Sequence, residues 1–182
     1  MKTDSTILNI PPPTSIDALS DIVNKTPRTS ASSSIIVDNS SELSENFLHL
    51  LLVEDNKIAL FTLENLIIQV GCRFTSVMDG EAALHLVQTR AFDLLITDLG
   101  LPGISGIELT HKIREFEKAK KKSPMPIIGL TAHSDEKMKF DCLQCGMNEV
   151  FTKPMTVNIL SEIKKIYFPP ESTVLTPNDL SD

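Results

Sequence analysis

Five side chains in the 182-residue sequence are of types that could act together on one charged ligand: Glu54, Asp55, Asp98, Thr131 and Lys153. Each stands where a short apolar run ends. Glu54 and Asp55 follow Leu50-Leu51-Leu52-Val53, Asp98 closes Leu94-Leu95-Ile96-Thr97, Thr131 follows Ile127-Ile128-Gly129-Leu130, and Lys153 follows Glu149-Val150-Phe151-Thr152. Clustered carboxylates repel and raise one another's pKa unless a cation neutralises them. A divalent ion does this directly. An all-oxygen set with no histidine or thiolate favours a hard ion, Mg²⁺ or Mn²⁺, that keeps waters and shares a substrate phosphate. Lys153 adds a positive point charge and Thr131 a hydroxyl donor, so the set suits a dianionic phosphoryl group. Taken alone, Asp98 reads equally well as a solvated loop aspartate, because Asp is common where strands end.

Convergence depends on the elements that carry these residues. The short apolar runs have the texture of strands buried on both faces. Between them lie helical patterns: a helix to Val70 with Ala59, Leu63, Leu66, Ile67 and Val70 inward and Gly71 as its stop; Glu81 to Arg90 with Ala83, Leu84 and Val87; a third marked by Leu109, Ile113 and Phe116; a fourth capped by Ser134 and ending at Gly146; and Met155 to about Tyr167. Phe74 to Val77 supplies the remaining strand. Five strands alternating with five helices give an α/β fold, a doubly wound five-stranded parallel sheet of order 2-1-3-4-5. Ligands bind outside the carboxyl ends of such strands. Strands 1, 3, 4 and 5 are neighbours in that order, so the five side chains face one crevice.

Residues 1–46 differ in texture. Pro11-Pro12-Pro13, Ser32-Ser33-Ser34 and Ser40-Ser41 mark a Ser/Pro-rich segment that buries too little apolar surface to offset its ordering entropy, so it is expected to be mostly disordered. Two patches qualify this: a short helix from Ser15 with Ile16, Leu19 and Val23 on one side, and Ile35-Ile36-Val37 as a weakly pairing strand. The expected organisation is 1–46 as that segment, 47–168 as the folded domain and 169–182 as a tail. A net charge of −7 argues against broad electrostatic binding of nucleic acid or anionic membrane. No apolar run spans a bilayer and no secretory leader stands at the N-terminus, so a cytoplasmic protein is expected. Cys142 and Cys145 form a Cys-x-x-Cys that lacks the second pair of a zinc site; it reads as two small apolar side chains on a helix, with a redox pair as the alternative. The run Lys118, Lys120, Lys121 and Lys122 reads as a solvated helix end favoured by the dipole, with a nucleic-acid patch as the weaker alternative for want of interleaved aromatics.

Four stretches carry a family resemblance: Leu-Leu-Val-Glu-Asp-Asn at 51–56, Ile-Thr-Asp-Leu-Gly-Leu-Pro-Gly-Ile-Ser-Gly at 96–106, Leu-Thr-Ala-His at 130–133, and Cys-Leu-Gln-Cys-Gly-Met-Asn-Glu-Val-Phe-Thr-Lys-Pro at 142–154. Residues from about 48 to 168 resemble the flavodoxin-like receiver domain of two-component response regulators, in texture the receivers attached to hybrid histidine kinases. The resemblance implies that Asp98 is the phosphoacceptor, taking a phosphoryl group from a phosphohistidine. It implies Mg²⁺ held by Asp55 and Asp98 with the Gly100 carbonyl, and by Glu54 largely through water. Thr131 and Lys153 would contact the phosphoryl group, and Lys153-Pro154 would be cis. In this family Thr131 belongs to a switch whose second member is usually aromatic; here that position is Val150, with Phe151 facing the other side of the strand, so the usual aromatic switch is not expected. Neither Gly100 nor His133 offers an acid to orient a hydrolytic water, which implies slow self-dephosphorylation.

The resemblance implies as partners a histidine kinase or histidine phosphotransfer protein, a downstream effector, and a second copy met through the fourth and fifth helices. It implies neither nucleic acid nor a membrane span. After Tyr167 too little chain remains for a DNA-binding or catalytic output domain, and His49, His85, His111 and His133 all lie within the domain, so none reads as a phosphodonor. A stand-alone receiver, or one derived from a hybrid kinase, is therefore the expectation: a phosphoacceptor signalling domain rather than an enzyme on other substrates. Two alternatives stay open. A pseudo-receiver scaffold would keep the fold without the chemistry. An Asp98-nucleophile phosphohydrolase of the haloacid-dehalogenase type would need a second Asp where Gly100 stands.

Overall fold

In the computed structural model, residues 36–38, 47–133 and 135–169 are described. The strands are β1 (Val37–Asp38), β2 (His49–Val53), β3 (Arg73–Val77), β4 (Leu94–Asp98), β5 (Ile127–Thr131) and β6 (Glu149–Thr152). The helices are α1 (Lys57–Gln69), α2 (Gly80–Thr89), α3 (Gly106–Lys120), α4 (Glu136–Gln144) and α5 (Val157–Tyr167). The sheet order is β1-β3-β2-β4-β5-β6. From β3 to β6 all pairings are parallel, which is the expected 2-1-3-4-5 order. A sixth strand extends the expected five: β1 runs antiparallel to β3, with Val37 opposite Ser76 and Asp38 opposite Thr75. The apolar pair Ile36-Val37 is what the sequence offers for it. The remainder of segment 1–46, including the expected helix from Ser15, and the tail beyond residue 169 lie outside the described residues.

Strand alternation sorts the core into two layers. Leu50, Leu52, Leu94, Ile96, Ile128 and Leu130 pack against α1 and α5. Leu51, Val53, Leu95 and Ile127 pack against α2, α3 and α4. A fully buried Leu or Ile side chain contributes about 1.5–3 kcal/mol, so these continuous runs hold the strand ends in place. On α1 the buried residues are Leu60, Leu63 and Ile67, so the inward stripe starts at Leu60 rather than Ala59. On α2, Leu86 is buried while Leu84 is only partly so.

Each helix starts at a side chain that accepts backbone N–H groups: Asn56 from Ile58 and Ala59, Asp79 from Ala82, Ser105 from Glu108, Asp135 from Lys137 and Thr156 from Ile159. Two starts correct the sequence expectation. Asp135, not Ser134, caps α4, and Thr156 delays α5 to Val157. Gly106 opens α3 at a place where no side chain fits, since a Cβ there would run into the Asp98 carbonyl oxygen. That close approach seats α3 directly behind the end of β4.

Candidate functional site

Four of the five candidate side chains meet at the carboxyl end of the sheet. Glu54 continues β2, its N–H bonding the Val77 carbonyl at 3.2 Å, and its side chain is buried. Asp55 is exposed beside it. Asp98 ends β4, where Thr97 Oγ1 donates to the Asp98 carbonyl at 2.9 Å and the Leu99 N–H bonds the Leu130 carbonyl at 3.0 Å. Lys153 leaves β6 with its N–H on the Thr131 carbonyl at 2.8 Å, and the Lys153-Pro154 bond is cis. Carboxylate oxygens of Glu54, Asp55 and Asp98 lie within 4.8 Å of one another. Lys153 Nζ bridges two of them, 2.6 Å from Glu54 Oε2 and 3.0 Å from Asp98 Oδ2.

The electrostatics follow from that bridge. Burial pushes the Glu54 carboxyl above its ordinary value of 4.5; Lys153 pulls it back without cancelling the rise, and the Asp98 charge adds to it. Burial pulls the Lys153 ammonium down, but its hydrogen bonds to Glu54 and Asp98 and their charges outweigh this, leaving it above its ordinary 10.5. The loop after β4 also reaches back to the site: the Gly100 N–H donates to Asp98 Oδ1 at 3.2 Å, and the Ile104 N–H donates to Glu81 Oε1 at 3.3 Å, clasping the loop to α2.

Thr131 stands at the neighbouring strand end, one residue past the Asp98–Leu130 pair, with its hydroxyl turned toward α4. Its Oγ1 donates to Met138 Sδ at 3.7 Å and accepts from the His133 N–H at 3.2 Å. Val150 pairs with Gly129 and packs on the α2–α3–α4 layer, whereas Phe151 packs on the α1–α5 layer, the opposite faces that strand alternation requires. The Cys142 and Cys145 thiols are free, and burial pushes Cys142 up to about 11. That is the reverse of the depressed value a redox cysteine needs. Two features carry no sequence signal: Met138, whose sulfur meets Thr131 only through the α4 fold, and a brace at the opposite end of the sheet, where β5 begins and the chain enters β6. In that brace Arg114 donates to the Gly146 carbonyl, Glu117 and Asn148, while Glu117 and Asn148 accept the Met125 and Ile127 N–H groups.

A family model described as the response regulator receiver domain matches residues 50–165, well over half of the chain. The chain belongs to that family. The receiver is 36% identical over 146 residues to the sensor histidine kinase GacS of Pseudomonas protegens, a match covering 80% of this chain and 15% of that protein. It therefore spans a small part of the length of the curated relatives it matches. Among solved structures it is similar to the receiver domain of the Saccharomyces cerevisiae response regulator Ssk1, crystallised with the histidine phosphotransfer protein Ypd1: 29% identity, TM-score 0.63, covering 66% of this chain and 88% of that one. It is also similar to the receiver domain of the sensor histidine kinase PA1611 of Pseudomonas aeruginosa, solved with a magnesium ion in its active-site cleft: 32% identity, TM-score 0.60, covering 66% and 97% of the two chains. The receiver is thus a signalling module of the two-component phosphorelay type. No helix among the described residues is long and apolar enough to cross a membrane.

Proposed function

We infer that the receiver accepts a phosphoryl group on Asp98 from the phosphohistidine of a kinase or phosphotransfer protein, and signals through protein contacts. The observation that carries this is the Lys153 bridge: an ammonium held 3.0 Å from Asp98 Oδ2, inside a carboxylate cluster open to solvent at Asp55. In transfer, an Asp98 oxygen bonds to phosphorus as the P–N bond breaks and its electron pair stays on the imidazole nitrogen. Lys153 fixes the attacking carboxylate and offsets charge on the phosphoryl oxygens, and Thr131, once its hydroxyl leaves Met138, supplies a donor to one of them. Glu54, Asp55 and Asp98, with the Gly100 carbonyl, fit a hard divalent ion, Mg²⁺ or equally Mn²⁺, by their all-oxygen donor set. When bound, that ion neutralises the carboxylates and the charge spreading over the transferring group.

The donor's histidine must reach Asp98, so its contact face borders the site. The first turns of α1 meet that need: Ile58 is 79% and Phe61 65% exposed, just past Asp55. Exposed apolar side chains grouped this way mark a protein contact. On the other flank, Met138 of α4 meets Thr131 and is exposed, as are Phe140 and Leu143 further along the helix, so α4 offers the face for an effector or a second copy. Slow dephosphorylation fits the neighbours of Asp98 and Thr131, because neither Gly100 nor His133 presents a carboxylate to a water. Three free thiols suit a reducing cytoplasm. Phosphotransfer from phosphorylated Ypd1 in Mg²⁺ tests the reading: label on the wild type, none on Asp98→Asn, and slower transfer to Phe61→Asp are expected. Equal labelling of the wild type and Asp98→Asn would refute it.

A further inference from the structure

One edge of the parallel sheet lies at β3, where after Arg73 the residues Phe74, Thr75, Ser76 and Val77 are buried and carry no charge or proline. Such an edge is a template for pairing with other chains unless something covers it. Here the cover is the chain's own β1, only two residues long. Ser76 Oγ stands between the cover and α1: its one proton goes to Glu64 Oε1 at 2.5 Å, with the Val37 carbonyl 3.4 Å away. Val37 is still 43% exposed. It lines a recess of about 220 Å³ shared with Leu60, Phe61, Glu64 and Met78.

We propose that β1 is an intramolecular strap that covers one side of the α1 docking face, so that phosphotransfer from a protein donor is slowed until β1 lifts from the β3 edge. The strap competes with the donor because Val37 and Phe61 line the same recess, and a protein packing on Phe61 meets Val37. It can lift because two paired residues make few backbone hydrogen bonds and bury little apolar surface. The inference rests on the reading of Asp98 as phosphoacceptor and of α1 as the donor's face, and it adds a regulator of access to that site.

The test uses the full chain carrying Val37→Pro, whose ring fixes φ and disfavours regular pairing in the two-residue strand while leaving both core layers intact. Deuterium exchange in a peptide spanning residues 73–78 should rise in the variant. The transfer rate from phosphorylated Ypd1 should rise severalfold, while labelling by acetyl phosphate, which needs no docking face, stays unchanged. Unchanged exchange, or no rise with Ypd1 while acetyl phosphate labels both proteins, overturns the strap. An equal rise with both donors also overturns it, because the effect would then lie in the site itself. If neither donor labels Asp98 in either protein, the phosphoacceptor reading fails and the strap with it.

Discussion

Replacing Lys153 with methionine removes the cation that bridges Glu54 and Asp98. The Glu54 side chain is only 4% exposed, that of Asp98 12% and that of Lys153 26%, so the bridge is mostly shielded on the Glu54 side and screened by solvent toward Asp98. A hydrogen bond to a charged group contributes roughly 1.5–3 kcal/mol net. Taking the Glu54 contact at the low end of that range, and half as much for the better-solvated Asp98 contact, gives a loss of about 2 kcal/mol at pH 7. With a urea slope of about 1.5 kcal/mol/M, the unfolding midpoint should fall by about 1.5 M. Far-UV circular dichroism in EDTA measures it. In excess Mg²⁺ the gap should narrow, since a bound divalent ion would neutralise the same carboxylates. The pH dependence has a definite sign. The folded value of Lys153 lies above 10.5, so its stabilisation is complete below 10.5 and disappears as pH rises through the folded value. The wild-type and Lys153→Met curves should converge on that alkaline limb. Glu54, raised from 4.5 by burial, favours the fold most below 4.5, a contribution lost as pH climbs through its folded value. Equal midpoints in EDTA at pH 7 would refute the claim that Lys153 holds the two carboxyl groups together.

Other perturbations probe the scaffold. Arg114→Ala leaves Glu117, 6% exposed at its side chain, without its guanidinium partner; a loss of about 2–4 kcal/mol in thermal or urea unfolding is expected, discounted slightly because Arg114 is partly solvated. Gly106→Ala forces a methyl group onto the Asp98 carbonyl and should both lower the melting temperature and slow acetyl phosphate labelling, whereas Gly71→Ala, with open space around it but a φ of 68°, should cost only about 1 kcal/mol and leave labelling unchanged. With its thiol pushed up to about 11, Cys142 should resist iodoacetamide at pH 8 in the folded protein and react on addition of urea, read by mass spectrometry.

The sheet order and the strand-end residues were legible because they rest on strong local signals. Leu50 to Val53 and Leu94 to Ile96 are runs that only a doubly covered sheet buries, and the Gly/Pro-rich break after Asp98 marks its end. Helix faces and starts carry weaker local signals. Ala59 and Leu60 are adjacent, and which one points inward depends on the start that Asn56 sets; Ser134 and Asp135 are both good caps, and the sequence holds no preference between them. Long-range side-chain pairings were not legible at all. The turn of Thr131 toward Met138, the Glu81 clasp on the loop, and the brace of Arg114 with Glu117 and Asn148 depend on rotamers and distances fixed only once the helices pack. Val37–Asp38 stands between these cases, its apolar residues visible but its antiparallel place on β3 set by the bare edge it covers.

The most direct measurement is intact-protein mass spectrometry after incubation with Mg²⁺ and acetyl phosphate, with Asp98→Asn alongside. A gain of one phosphoryl group in the wild type, absent from Asp98→Asn and from the wild type in EDTA, is expected. A phosphoryl gain that persists in Asp98→Asn, or none in the wild type with either acetyl phosphate or a phosphohistidine donor, would contradict the assignment of Asp98 as the phosphoacceptor.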